Sequence, residues 1–483
     1  MSDGLKKKMI NGLAWSSVNV YGVQFIQLIV GILLARILHV EEFGQIGILF
    51  FFVGISTVLI DGGFGQALIR KQQATQTDIS TIFFLNLFLS VVLYLVLFLM
   101  APHIANFFGL PALTSIARVL FITVIIFALY FIQQVQLLKK LAYKSNAFIN
   151  LISVAISGFV ALFLAFKGYG VWVLVYQQLS FHTAKAILSP FFLRWKPTFV
   201  FSWTTVRESW RFSAGIFAQT LLNSIFNNIY TLLIGKLDTI KNVGYFTQAN
   251  KYNETVNVAS NSILSAGTFP IFSQVQDDQP RLLRIYRRLV TSVSMLTFPF
   301  AAFLIIAAKP LIITLISEKW MESIVLFQLL IFSNIFYPIY TINVSILNAR
   351  GESKHTLQLE ILKKTLIVIS ILITFSYGIR VMLMGLIVAN FIAFGASAVL
   401  IKQSLNHYFR HQLLDIAKTM FLVIGAALVG YFAYRLGDCY FVQLLAQGFV
   451  FFLLYLLSLL LVYPQRVAEV KQGLMKKIRS QHD

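Results

Sequence analysis

The sequence predicts an all-α, polytopic membrane protein of about 14 transmembrane helices, built as two six-helix pseudo-repeats plus two C-terminal helices. Apolar residues make up 58% of its 483 positions and charged residues only 12%, whereas a soluble domain carries about 25% charged residues. Lysine and arginine concentrate in alternate loops along the chain. A short motif around Arg36 is nearly repeated around Lys236. Together these observations indicate a protein that keeps most of its surface in lipid.

The spans follow from the length of the apolar runs, because a bilayer core requires about 20 mostly apolar helical residues per crossing. The first run follows a basic segment but is too long for the apolar core of a signal peptide, so we expect it to remain as a membrane helix. The eighth span and the inner half of the eleventh are weakly apolar. The predicted spans lie at 12–37, 43–66, 79–107, 113–137, 145–166, 170–193, 209–234, 242–266, 285–316, 322–347, 354–377, 381–405, 413–436 and 440–463.

The positive charges set the orientation. With a cytoplasmic N-terminus, the inner loops collect most of the lysine and arginine, and the outer loops hold one or two each. This is the bias of cytoplasmic loops, and it alternates without a break, so both termini are predicted to be cytoplasmic. The net charge of +21 follows from this topology and from contact with anionic headgroups. No nucleic-acid partner is expected, because the basic residues are spread over separate inner segments.

The internal repeat divides the chain. Segment 35–38 followed by Phe43-Gly44 corresponds to 235–238 followed by Val243-Gly244. Spans one to six are therefore predicted to repeat as spans seven to twelve, which gives an N-terminal six-helix repeat at 1–200 and a second repeat at 201–410. Residues 411–483 then form two extra helices and a basic cytoplasmic tail. Repeats with an even number of spans share one orientation, so their symmetry axis runs along the membrane normal.

Span eight contains the main candidate binding residues. Positions 250, 254 and 257 fall on one helix face, and Lys251 is spaced to pair with Glu254. A charge near the bilayer midplane costs about 2.5–3.5 kcal/mol, so these side chains must face protein or water. Two related halves in a membrane chain are typical of a transporter with its cargo site between them, and we predict that Lys251, Glu254, Asn250 and Asn257 bind that cargo. The polar residues of this span are Gln248, Asn250, Lys251, Asn253, Glu254, Asn257 and Asn261.

Two further spans supply candidates for the same site. Span seven carries Asn223 and Asn227 at helical spacing, preceded by Gln219. Span eleven carries Lys363 and Lys364, close to Glu360, in its inner half. The alternative for the amides is that they only join helices, as polar residues do in many bundles. The alternative for Lys363 and Lys364 is an ordinary interfacial position.

Several other polar residues are expected to be structural. Asp61 precedes Gly62-Gly63 and is expected at a helix end. Arg36 and Lys236 lie at outer helix ends, where they can snorkel to the headgroups. His182 and Lys185 of span six are expected in interior or interfacial roles.

No metal or cofactor site is predicted. The single cysteine, Cys439, excludes an internal disulfide and a thiolate cluster. His407 and His411 are four residues apart without a third ligand nearby in the sequence. No acid–base pair or nucleophile constellation is present, so the chain is not predicted to be an enzyme.

Three segments carry a resemblance to a known family: 34–44, 61–69 (Asp-Gly-Gly-Phe-Gly-Gln-Ala-Leu-Ile) and 233–245. They resemble the bacterial polysaccharide exporters, the flippases of O-antigen (lipopolysaccharide) and exopolysaccharide repeat units within the multidrug/oligosaccharidyl-lipid/polysaccharide superfamily. The resemblance implies translocation of an undecaprenyl-pyrophosphate-linked oligosaccharide, including capsule units, across the bacterial inner membrane by alternating access. It implies a cavity lined by spans one, two, seven and eight. The polysaccharide polymerase machinery is a candidate partner.

Two alternatives stay open at this point. A drug or metabolite antiporter, or a flippase of peptidoglycan lipid precursors, would belong to the same superfamily. A membrane polysaccharide polymerase or ligase would have similar hydropathy, but the predicted outer loops are too short for the catalytic loop of such enzymes. The mixture of lysines and amides in span eight favours the oligosaccharide exporter.

Overall fold

The computed structural model describes residues 3–405 and 407–464, apart from the side chains of 3–11, 13, 259–267, 269 and 270. All regular structure in these residues is helical, as the sequence predicts. By their contacts the residues divide into two compact units, Met1–Gln248 and Ala249–Asp483. The boundary falls within one long helix, α10.

The first unit contains nine helices and the first turns of a tenth among the described residues. Their bounds are α1 Asp3–Ile37, α2 Val40–Asp61, α3 Phe64–Arg70, α4 Gln76–Phe107, α5 Leu113–Leu120, α6 Ile122–Lys139, α7 Tyr143–Phe166, α8 Trp172–Phe192, α9 Trp203–Leu237 and α10 Ile240–Ser273.

The second unit continues from α10 through eight further helices of the described chain. They are α11 Gln279–Ile306, α12 Ala308–Ile316, α13 Ser323–Ser333, α14 Tyr337–Ala349, α15 Ser353–Thr374, α16 Ile379–Leu405, α17 Phe409–Phe432 and α18 Tyr440–Val462. Short 3-10 turns follow at Glu318–Trp320, Phe375–Tyr377 and Ala433–Leu436.

Each of the 14 predicted spans coincides with one helix or with two consecutive helices. Within the described residues, ten segments are both long and apolar enough to cross a membrane. The other predicted spans correspond to α8, α9, α10 and α15, which are long enough but carry more polar and charged residues. A polytopic all-α membrane protein is thus confirmed, while the number 14 and the cytoplasmic termini stay predictions.

Four predicted spans are divided between two helices: the second at Gly62-Gly63, the ninth at Ala307, and the fourth and tenth. The fourth and tenth spans occupy the same place in the two predicted repeats. The fourth span divides at Phe121 into α5 and α6, and the tenth divides at 334–336 into α13 and α14. Pro338 lies in the first turn of α14, where its missing N–H costs no helical hydrogen bond. Discontinuous helices at matching positions of two repeats mark the binding region in many transporters.

Local capping residues explain where several helices begin. Asp78 and Thr75 form a reciprocal capping box at α4, with bonds of 2.9 and 3.2 Å between their side chains and backbone amides. At α11, Asp278 accepts a bond of 3.0 Å from the amide of Arg281. These caps explain why α4 begins after Thr75 and α11 begins after Asp278.

The first unit includes α9 because α2 packs along it. This division reports packing and does not follow the predicted boundaries at 200 and 410, so the assignment of repeats stays a prediction. α2 ends at Asp61, as expected, since Gly62 and Gly63 follow with left-handed φ angles of 51° and 74°. The carboxylate of Asp61 then accepts the amide of Gly65 at 3.0 Å, which caps α3.

Candidate functional site

The polar segment of α10 presents two exposed charges. Lys251 and Glu254 are both exposed, and Asn250 is half-buried beside them. The Asn250 amide donates a hydrogen bond of 3.0 Å to the Glu254 carboxylate. The expected pairing of Lys251 with Glu254 was wrong: no ion pair between them occurs in the described structure, because the Glu254 side chain turns to Asn250 instead. The Lys251 ammonium is therefore not neutralised by its helical neighbour.

A second face of α10 contacts the break in the tenth span. Asn253, only 4% exposed, accepts a hydrogen bond of 3.2 Å from the side-chain amide of Asn334. Asn334 also donates to the carbonyl oxygen of Leu330, at 3.1 Å, within the last turn of α13. The interruption between α13 and α14 thus places a polar side chain against α10. Buried amides in a membrane protein require such partners.

A cavity of about 600 Å³ opens beside this amide pair. Asn253, Asn257 and Asn334 are its amide residues, and most of its wall is apolar. Ligand pockets commonly combine apolar walls with a few placed polar groups. The apolar wall comes from α11, α13, α14 and α18, with Leu296, Pro299, Phe300, Ile331, Ile335, Phe452, Leu456 and Leu459 among its residues.

The first half of α15 forms a compact charged and aromatic cluster with α14. Glu360 lies 3.9 Å from the Lys364 ammonium and accepts a bond of 3.3 Å from the Tyr340 hydroxyl. The Lys363 ammonium lies 5.1 Å from the ring centre of Tyr337 and 5.3 Å from that of Tyr340. Glu360 therefore pairs with Lys364, while Lys363 contacts aromatic faces as a cation.

The remaining predicted residues divide between the units. Asn223 is half-buried and Asn227 is exposed on α9 of the first unit, as is Gln219. Asn261 lies outside the residues whose side chains are described. No group of three metal-binding side chains occurs among the residues that were described. Lys236 binds the carbonyl oxygen of Phe107 at 2.9 Å and lies over its ring, which is a structural role.

Sequence reasoning missed several members of these clusters. Asn334 had one signal, the polar Ser-Asn pair followed by Pro338 inside an apolar run. Tyr337 and Tyr340 had none, since aromatic residues are common throughout this chain. His182 was expected in an interior or interfacial role, and its Nδ1 lies at 2.8 Å from the Tyr130 hydroxyl in a hydrogen bond that joins α6 and α8.

Comparison with known proteins identifies the family. The chain is 25% identical over 352 residues to the teichuronic acid biosynthesis protein TuaB of Bacillus subtilis, covering 72% of this chain and 73% of that protein. It is 23% identical over 441 residues to the lipopolysaccharide biosynthesis protein WzxC of Escherichia coli, covering 88% of each. The lipid II flippase MurJ in an inward closed conformation shares the fold, with a TM-score of 0.75 at 14% identity, over 94% of this chain and 99% of that one.

The predicted class follows from the family match. Residues 33–325, more than half of the chain, match the family described as polysaccharide biosynthesis protein. This match confirms the exporter resemblance carried by the motifs at 34–44 and 233–245. It also confirms the prediction of a membrane transporter rather than an enzyme. The chain belongs to the polysaccharide biosynthesis protein family of multi-pass membrane exporters.

Proposed function

We propose that this protein is a flippase that moves polyprenyl-pyrophosphate-linked oligosaccharide repeat units across the bacterial inner membrane by alternating access. The family match supports a cargo that belongs to polysaccharide biosynthesis. The names of two relatives place those relatives in teichuronic acid and lipopolysaccharide biosynthesis. The shared fold of the lipid II flippase is compatible with a lipid-linked cargo. The polysaccharide polymerase machinery is the proposed downstream partner.

The observation that carries the proposal is the amide pair of Asn253 and Asn334 beside an apolar cavity. A lipid-linked oligosaccharide is amphiphilic, with hydroxyl-rich sugars joined to a hydrocarbon chain. Side-chain amides both donate to and accept from hydroxyl groups, and the apolar wall suits hydrocarbon. One site with both surfaces fits such a cargo better than it fits a small polar metabolite.

The pyrophosphate of the cargo requires cations. Lys251 is exposed and lacks an ion pair with Glu254, and the Lys363 ammonium lies over the rings of Tyr337 and Tyr340. We assign pyrophosphate binding to these two lysines, because lysine is a common phosphate ligand that acts as a point charge. Lys364 has the secondary role of holding Glu360. We extend the sugar-binding proposal to Asn250, Asn257, Asn223 and Asn227.

Gene deletion with complementation tests the proposal. The deletion strain should lose surface polysaccharide and accumulate lipid-linked oligosaccharide that is accessible only from the cytoplasmic face of membrane vesicles. The wild-type gene should restore both. No accumulation would favour the drug or metabolite antiporter, and accumulation of peptidoglycan precursor would favour the other flippase.

Reconstitution provides a second test that is independent of polymerisation. Purified protein in liposomes should move a fluorescent polyprenyl-pyrophosphate oligosaccharide between leaflets, measured by protection from a quencher that cannot cross the membrane. The same lipid without sugar serves as the comparison. Transport of a cationic dye without any transport of the oligosaccharide lipid would overturn the proposed cargo.

A further inference from the structure

A second cavity of about 600 Å³ lies between α11 and α17 in the second unit. It is separate from the proposed cargo site, because its residues on α11 end at Thr291 and those of the first cavity begin at Val293. Four of its seven lining residues are charged. The cavity is lined by Pro280, Leu283, Arg284, Arg287, Arg288, Thr291 and Asp415.

The carboxylate of Asp415 holds one arginine of this cavity, Arg287, in place. Arg287 contacts Asp415 through two nitrogens, with Nε 2.9 Å from Oδ2 and Nη2 2.6 Å from Oδ1. His407 Nε2 lies 3.3 Å from the same Oδ2. Both oxygens of Asp415 are thus engaged, and the bidentate geometry orients the Arg287 guanidinium.

The cavity keeps an excess of positive charge. Three guanidinium groups line it against the single carboxylate of Asp415. Arg284 and Arg288 are both exposed, and Arg284 makes no ion pair with any described residue. Arginine is suited to phosphate because its planar group donates two parallel hydrogen bonds. Arg284 therefore offers a guanidinium that Asp415 does not neutralise.

The depth of the arginines corresponds to the headgroup region. At about 1.5 Å per residue, Arg284 and Arg288 lie roughly 7.5 and 13.5 Å from the start of α11 at Gln279. The predicted orientation puts this end of α11 on the cytoplasmic side. Basic pockets between transmembrane helices on that side bind the headgroups of anionic lipids. The general bias of cytoplasmic loops requires positive charge there, but it does not require a concave cavity.

We propose that this cavity binds the phosphate of an anionic phospholipid headgroup. Arg284 and Arg288 contact the phosphate, and Arg287, positioned by Asp415, supplies a third donor. Leu283 and Pro280 lie against the apolar start of the lipid chains. The site serves lipid association and does not depend on the identity of the exported cargo.

Lipid retention by the purified full-length protein tests the proposal. Native mass spectrometry should show phosphatidylglycerol retained in preference to phosphatidylcholine. Arg284→Gln and Arg288→Gln should each reduce the retention of phosphatidylglycerol about fivefold. The matched control is Arg281→Gln, which removes the same charge. Arg281 is exposed on the same helix but does not line the cavity. Equal loss in the control, or no preference between the lipids, would overturn the site.

Competition separates a lipid headgroup from free phosphate. Neither inorganic phosphate nor soluble glycerophosphoglycerol should displace phosphatidylglycerol, because neither carries the lipid chains. If inorganic phosphate displaces the lipid completely, the site binds free anions and the lipid assignment is wrong. Should Arg284→Gln not fold, Arg284→Lys keeps the charge, removes the planar fork and should still weaken retention.

Discussion

Gly44 and Gly244, which occupy the same place in the two copies of the repeated motif, pack against each other near the starts of α2 and α10. A Cβ atom at Gly44 would lie 3.1 Å from the amide nitrogen of Gly244 and would overlap the carbonyl oxygen of Ile240. A Cβ atom at Gly244 would overlap the carbonyl oxygen of Val40. Small residues allow the backbones of membrane helices to approach this closely. The motif that revealed the repeat therefore marks a helix contact that requires glycine on both sides.

Replacing Gly44 by alanine should destabilise the protein by about 1–3 kcal/mol, because the atoms in the way belong to the backbone and cannot move aside. Thermal unfolding in detergent measures the effect. The matched control is Gly215→Ala in α9, where an added Cβ has no neighbour within 4 Å. That change should be neutral or stabilising, since alanine is favoured over glycine within a helix. Equal destabilisation by both changes would contradict the importance of the contact.

Lys251→Ala and Glu254→Gln should reduce surface polysaccharide to the level of the deletion strain while leaving protein abundance normal. The first removes a proposed pyrophosphate ligand, and the second removes the negative charge of the carboxylate that Asn250 bonds while keeping an acceptor oxygen. Quantitative glycan staining and immunoblotting measure the two quantities. Lys241→Ala is the control, since Lys241 is exposed in the first turn of the same helix. Full export by both variants would refute the assignment.

The hydrogen bond between Asn253 and Asn334 should have a measurable coupling energy. Side-chain hydrogen bonds between membrane helices contribute about 0.6 kcal/mol on average and about 1.7 kcal/mol at most. A double-mutant cycle with Asn253→Ala and Asn334→Ala, followed by thermal unfolding, should give a value in that range. Both variants should also slow export. Asn228→Ala is the control, because Asn228 bonds a carbonyl oxygen of its own helix; export at the same reduced rate in that variant would argue against a specific role.

Lys363→Gln should lower transport of the pyrophosphate-linked lipid about tenfold, the loss expected for one hydrogen bond to a charged group. Transport of the same lipid by reconstituted protein measures this loss. Lys402→Gln is matched to it, because Lys402 also lies over a tyrosine ring, 4.7 Å from the centre of Tyr408. Lys402 is outside the proposed site, so its variant should transport normally. Similar losses in the two variants would indicate a general effect of charge.

Asp78→Ala should reduce the free energy of unfolding by roughly 1–3 kcal/mol without any role in cargo binding. Asp78 is 4% exposed and its carboxylate joins two helices, bonding Lys71 at 2.9 Å and the Thr205 hydroxyl at 2.8 Å. Removing it leaves the Thr205 hydroxyl and the cap of α4 unsatisfied. Thermal unfolding should show the loss, whereas Asp277→Ala, at an exposed turn, should have little effect. An unchanged melting temperature for Asp78→Ala would show that water replaces these bonds.

Hydropathy predicted where the helices lie but not where they break. The fourth and tenth spans each contain enough apolar residues for one crossing, and an average over some 20 positions does not register an interruption of one to three residues. Phe121, at the break between α5 and α6, has no local feature that distinguishes it from neighbouring apolar residues. Asn334 had the weak signal of Pro338, which cannot donate a backbone hydrogen bond.

The sequence by itself determined the class of the protein, the place of its helices and the family to which it belongs, because these depend on composition and on local apolar length. The tertiary structure decided which polar residues act together. It joined Asn253 to Asn334, placed Lys363 over Tyr337 and Tyr340, and turned Glu254 toward Asn250 instead of Lys251. The physical reason is that the contacts of Asn253 and of Lys363 depend on how helices pack. The contact between Glu254 and Asn250 depends on one side-chain rotamer. Helical periodicity shows which face a residue occupies, but not what that face meets.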